Sequence, residues 1–265
     1  MNKLFTLLAL TITFGIDAQI TVSGTSNSGT YSSAIGYQTT ASGDYSTAMG
    51  YSTTASQSYC TAMGYATTAS GSTSTASGVN TTASGDRSTA MGVNTTASDY
   101  GSLVIGQYNS SGSSATTATS FSASNTAFVI GNGINGSNKS DAFKVMFNGD
   151  ATVSNNLTVV GDVEVQSDAR LKSNIVSLGS TLHKLLQIDG KSYEMKGKQK
   201  IGVLAQEIKE VFPELVSEDD KEMLAVNYQG LVPILINALK EQDKIIKSQE
   251  ERLTNIENLI ANLND

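Results

Sequence analysis

The stretch TAMGYSTTASQSYC, residues 47–60, is followed without a gap by TAMGYATTASGSTS at 61–74, TASGVNTTASGDRS at 75–88 and TAMGVNTTASDYGS at 89–102. SAIGYQTTASGDYS precedes it at 33–46, and a decayed copy, LVIGQYNSSGSS, begins at Leu103. Gly36, Gly50, Gly64, Gly78, Gly92 and Gly106 recur every 14 residues, and so do the Ala-Ser pairs that begin at 41, 55, 69, 83 and 97. Self-similarity at a fixed period marks a stacked architecture. Fourteen residues are too few for a helical hairpin but suit one turn of a β-coil, with two short strands and two corners. Neighbouring turns would hydrogen-bond at roughly 4.8 Å, as strands do.

Within each turn, Ala and the Met or Ile before each Gly are expected to point inward, with Ser77 as the lapse. The Gly would permit a corner that a Cβ obstructs. The many Thr residues are expected at exposed strand positions. A disordered Ser/Thr/Gly linker has similar composition. Such a linker, however, needs no Gly in strict register.

The charge distribution divides the chain. Between residues 19 and 138 the charged side chains are Asp44, Asp86, Arg87 and Asp99, whereas residues 139–265 carry 15 Lys/Arg and 20 Asp/Glu. Net charge is −7 and no basic patch is present, which argues against nucleic acid as a partner. At the N-terminus, Lys3, the apolar run Leu4–Ile16 and the small Ala18 read as a secretory signal peptide, residues 1–18, cleaved near Ala18–Gln19. No later segment has spanning length, so the expected product is exported, secreted or at the cell surface, without a membrane span of its own. Cys60 is the single cysteine and stands where Ser46 and Ser74 stand one period away, so it is expected to pack rather than react. His183 is the single histidine, and no zinc cluster or other cofactor site is expected.

Residues 31–108, with Ala, a hydrophobe and Gly at this spacing, resemble the head repeats of trimeric autotransporter adhesins. The resemblance implies a left-handed parallel β-roll with three chains side by side. Independently, one thin coil has little core, and three joined coils would bury a shared face. The barrel anchor of that family is absent from this sequence. Glycoside hydrolysis usually needs two carboxylates about 5–9.5 Å apart. Asp44 and Asp86 are three periods apart and would stack about 14 Å apart. The head, residues 19–126, therefore reads as a spacer or a surface for an unidentified ligand, not an enzyme.

AFVIGNG (127–133) and DAFKVMFNGDATV (141–153) read as strands, with Asn148-Gly149 as a hairpin turn. NLTVVGDVEVQ (156–166) continues the extended pattern, so residues 127–166 read as a β-rich neck.

Further on, SDARLK (167–172), IGVLAQE (201–207), FPELV (212–216) and VNYQGLVPILINALKE (226–241) follow in order. This run resembles the intramolecular chaperone domain that ends phage endosialidases, tailspikes and tail fibres. The resemblance covers about residues 167–265. It implies an α+β domain that helps three chains assemble and then cuts itself off at its own N-terminal boundary. On that likeness Ser167 is the nucleophile, Lys172 the general base and Gln166–Ser167 the bond cut. The chemistry is sound, because a Ser hydroxyl needs a base and burial lets a Lys supply one. Five residues, however, match neither a helical face nor one side of a strand. A bend, or a neighbouring subunit, must bring the two together. Asp168 would orient Lys172 or cap a turn. His183 reads as a surface residue, and Gln206 and Glu207 belong to the motif without a role that the chemistry supplies.

Toward the end, Leu239, Ile246, Leu253 and Ile260 as position a place Leu235, Gln242, Gln249, Ile256 and Leu263 at d. This is a coiled-coil seam over about 230–263, and its partner would be the same chain in a homotrimer. The alternative is a structural adhesin whose C-terminal domain trimerises the fibre and stays attached. A phage fibre would share the C-terminal domain, but the signal peptide argues against it.

Overall fold

Fourteen-residue spacing becomes a parallel β-solenoid. The structure, a computed structural model, describes residues 24–219 and 222–263; the signal-peptide expectation for residues 1–18 lies outside them. Each turn contributes a five-residue strand and a two-residue strand. Short strands from Ser26–Asn27 to Thr96–Ala97 form one six-stranded parallel sheet. Longer strands from Ser33–Tyr37 to Leu103–Gln107 stack in parallel on the other side. Register follows the repeat without slippage: Ala48 pairs with Ala62 and Gly50 with Gly64.

The interior is built of small side chains. Ala48, Ala55 and Cys60 are fully buried, and their equivalents in the other turns are buried. The Cys60 thiol donates to the Gly71 carbonyl at 2.9 Å, a packed role of the kind its Ser neighbours fill. Two expectations are corrected. Met49, Met63 and Met91 are not inward but 39, 43 and 46% exposed. Successive residues of a strand face opposite sides, so the Met beside an inward Ala must point out. The first Thr of each Thr-Thr pair (Thr39, Thr53, Thr67, Thr81, Thr95) is fully buried rather than exposed, and its hydroxyl has no hydrogen-bond partner in the chain. The short second strand alternates in the same way, and burial there falls on these residues and on the Ala two positions later.

Gly50 shows why the period is punctuated by glycine. Its φ is +122°, and a Cβ placed on it would lie 2.0 Å from the Gly64 carbonyl oxygen. Both conformation and the closeness of adjacent turns exclude a side chain. Outside, Tyr37, Tyr51 and Tyr65 stack with ring centroids 5.4 and 5.1 Å apart, next to the Met column.

The solenoid closes on a buried carboxylate. Asp99 accepts from the Thr116 amide at 2.6 Å and the Thr126 amide at 2.8 Å, tying the 110–125 excursion to the last turn. Strand Thr126–Asn132 then pairs in parallel with Leu103–Gln107, so the first neck strand is a further rung of the head's own sheet. Asp141–Met146 and Ala151–Val153 complete it as antiparallel strands around the Asn148-Gly149 turn. No strand forms over 156–166, where the sequence pattern reads as extended. These residues are exposed and find no ladder partner within the chain.

A second compact unit begins at Glu164. It holds a 3-10 turn, Ala169–Leu171, a short helix α1 (Leu182–Leu185), and a hairpin of Lys191–Met195 with Lys198–Gly202. Helix α2 (Ala205–Val211), a second hairpin of Val216–Glu218 with Leu224–Val226, and the 33-residue helix α3 (Leu231–Leu263) follow. Its core is small: Ile208, Phe212, Leu215 and Ile234, with Leu185, Ile188, Val203 and Val226 packed around them. Only the first part of α3 touches this core. From Gln242 to Leu263 every residue is exposed, including the seam positions Ile246, Leu253, Ile256 and Ile260. No helix among the described residues is long and apolar enough to cross a membrane.

Candidate functional site

Ser167 and Lys172 are brought together by a bend within one chain. Asp168, in extended conformation, caps the 3-10 turn Ala169–Leu171 by accepting from the Arg170 amide at 2.9 Å. Lys172, again extended, leaves the turn with its amide bonded to the Ala169 carbonyl. The reversal returns the Lys172 side chain to the start, and its Nζ donates to Ser167 Oγ at 2.6 Å. Sequence spacing called for a bend or a neighbour, and the chain supplies the bend.

Asp168 serves the turn. Besides its cap bond, its carboxylate is gripped by the Arg170 guanidinium, with Nη2 at 2.7 Å from Oδ2. The Arg170 side chain, and then its amide, hold the Asp168 carboxyl below the usual carboxylate range. This leaves Asp168 shaping the loop on which the Ser–Lys pair sits.

The Ser167 side of the turn is open to solvent. Gln166, Ser167, Asp168, Arg170 and Leu171 line a cleft of about 520 Å³, and all residues from Gly161 to Ser180 are exposed. Lys172 acts as donor in its bond to Ser167, whereas a general base must accept the hydroxyl proton. Ser167 and Lys172 are both exposed in the single chain.

The remaining candidates lie elsewhere. His183 is on the outer side of α1, beside Gln187 at 3.2 Å. Gln206 is exposed on α2, near Tyr193 and Tyr228 in a separate groove. Glu207 pairs with Lys191 at 3.2 Å, joining α2 to the first hairpin. Sequence reasoning missed Glu241, whose carboxylate reaches from α3 to the start of α1. No spacing in the sequence signals this bond, which joins residues sixty apart.

Comparison with known proteins follows this division. Residues 167–217 match the family described as "Chaperone of endosialidase". Residues 28–53, 55–81 and 83–109 match the "YadA head domain repeat (2 copies)". The long tail fiber protein Gp37 of Escherichia phage AR1 is 35% identical over 96 residues, 32% of this chain and 9% of the relative. Its counterpart in Enterobacteria phage K3 is 33% identical over 103 residues, 35% of this chain and 8% of the relative. The chain thus spans under a tenth of the length of these curated relatives. Over residues 28–109 this chain is similar to YadA head repeats, and over 167–217 to the chaperone of endosialidase.

Proposed function

We propose that the chain is an exported, trimeric, fibre-like surface protein whose C-terminal domain promotes assembly and then cuts the Gln166–Ser167 bond. The head is a spacer or binding surface. Its trimer face is the outer side of the long-strand sheet, where Met49, Met63, Met91 and the Tyr37–Tyr51–Tyr65 ladder leave an apolar stripe in water. The seam of α3 is the second joint. Likeness to phage fibre proteins and to adhesin heads supports the fibre reading and a surface location.

The observation that carries the cleavage is the 2.6 Å contact between Lys172 Nζ and Ser167 Oγ across the turn. In the reaction, an uncharged Lys172 amine takes the hydroxyl proton as Ser167 Oγ adds to the Gln166 carbonyl carbon. The carbon–nitrogen bond breaks, the departing Ser167 nitrogen takes up a proton, and Gln166 is left as an ester on Oγ. Water hydrolyses the ester, regenerating the hydroxyl and freeing the Gln166 carboxylate. The event occurs once per chain and leaves a mature product of roughly residues 19–166. The Ser167–Lys172 contact within one chain supports a reading in which the trimer's contribution is to exclude water from the pair.

Intact mass of the purified native protein tests this. A fragment beginning at Ser167, lost in Ser167→Ala, is the expected result. A full-length chain after prolonged native incubation selects the alternative, a structural adhesin whose C-terminal domain only trimerises the fibre. Dilution tests the assembly requirement, which is refuted if unassembled monomer cleaves as fast as trimer.

A further inference from the structure

Glu241 stands two helical turns after Ile234 on α3, on the face that also carries Ala238; Ile234 and Ala238 are each 3% exposed. It is the last residue of α3 that is partly buried. The exposed seam residues Leu239 and Ile246 occupy other positions around the helix. Ser180 Oγ donates to Glu241 Oε2 at 2.6 Å. The Thr181 amide donates to Oε1 at 2.5 Å, and the Leu182 amide lies 3.4 Å from both oxygens. Deeper along the same face, Thr181 Oγ1 donates to the Ile234 carbonyl at 3.0 Å. Helix α1 has no cap of its own, because the Thr181 side chain makes no capping bond. Its free amides are satisfied by a carboxylate sixty residues away.

We propose that Glu241 is a positioning residue that anchors the segment carrying Ser167 and Lys172 to α3, at the point where this helix leaves its own domain. The inference rests on the cleavage reading and deepens it, since it names what keeps the site beside the helices that assemble. Lys172 lies eight residues before Ser180, which bounds its reach from the anchor at about 28 Å. Thr181, Leu185 and Ile188 still face the core without Glu241, so the tether lengthens at most to the strand ladder at Lys191, nineteen residues from Lys172, when α1 detaches as well. Effective concentration falls as about the −3/2 power of tether length, so losing the anchor lowers it by up to roughly three- to fourfold, the limit reached when α1 detaches.

The test compares full-length wild type with Glu241→Ala, Glu241→Gln and Ser180→Ala. Trimer content is checked by sedimentation, cleavage is timed in the trimer, and hydrogen exchange is followed at the Thr181 and Leu182 amides. Glu241→Ala trimers are expected to cut measurably more slowly, by up to about three- to fourfold, with faster exchange at both amides. Glu241→Gln restores part of the rate, because its amide oxygen still accepts from the backbone, and adding Ser180→Ala to Glu241→Ala changes nothing further. Should Glu241→Ala fail to assemble, the two milder variants carry the same comparison. Glu241→Ala trimers that cut at the wild-type rate overturn the proposal. Unchanged amide exchange in Glu241→Ala overturns the anchor alone. A wild-type chain that never cuts overturns the cleavage reading, and the coupling with it.

Discussion

Lys172 Nζ and Ser167 Oγ meet at 2.6 Å because one 3-10 turn, Ala169–Leu171, separates them. Closeness alone does not make a base. Lys172→Arg keeps a donor that can reach Ser167 but removes the ability to give up a proton at working pH. Cleavage is expected to fall at least about 100-fold, with trimer content unchanged, read as the fraction of chain cut over time on a denaturing gel. Full cleavage in Lys172→Arg would remove Lys172 from the mechanism.

Gly64 is the test of the solenoid's spacing. A Cβ there would lie 2.1 Å from the Gly78 carbonyl oxygen, at a φ of +122°. Gly64→Ala is expected to cost at least about 1–3 kcal/mol from backbone strain alone, seen as a lower melting temperature of the head. A variant as stable as wild type would mean that adjacent turns are further apart than described.

The buried Thr column predicts the opposite sign. Thr67 is fully buried with its hydroxyl unpartnered in the chain. Thr67→Val keeps the branched shape and removes the polar atom, so it is expected to raise stability by about 1 kcal/mol. Calorimetry of the two proteins decides this, and a destabilised variant would show that the hydroxyl is bonded in solution.

Glu241 gives the C-terminal unit an acid limb. The Ser180 hydroxyl, then the Thr181 amide, hold its carboxyl below the usual range. A carboxylate lowered by folding contributes its full stabilisation above its unfolded value, and this is lost as pH falls through the folded value. Wild-type stability should therefore decline over that acidic window more steeply than that of Glu241→Gln. Asp168 is lowered too, by Arg170, but it is common to both proteins and cancels in the comparison. Parallel pH profiles would show that Glu241 is not held by these donors.

Much of the head was legible because its constraints are local and repeated. Gly50 and Ala48 recur where backbone closeness and interior volume leave no other choice. Met49 was misread because an apolar residue is counted inward by habit, while its neighbour Ala48 had already taken that side. Asp99 and Glu241 were invisible for a different reason: each acts on a segment distant in sequence, Thr126 and Ser180 respectively, and no spacing rule announces such a bond. Ser167 and Lys172 stood between these cases. Their spacing excluded regular structure, but only the cap bond that the Arg170 amide donates to Asp168 shows how the chain turns.

The unbroken pairing of Gly36 with Gly50, Gly64, Gly78 and Gly92 makes the head a ruler. Each rung presents the same edge to the next, so duplicating or deleting one fourteen-residue unit should change the reach by about 4.8 Å and leave both ends intact. Reach is then set by the number of rungs, separately from the segments at either end.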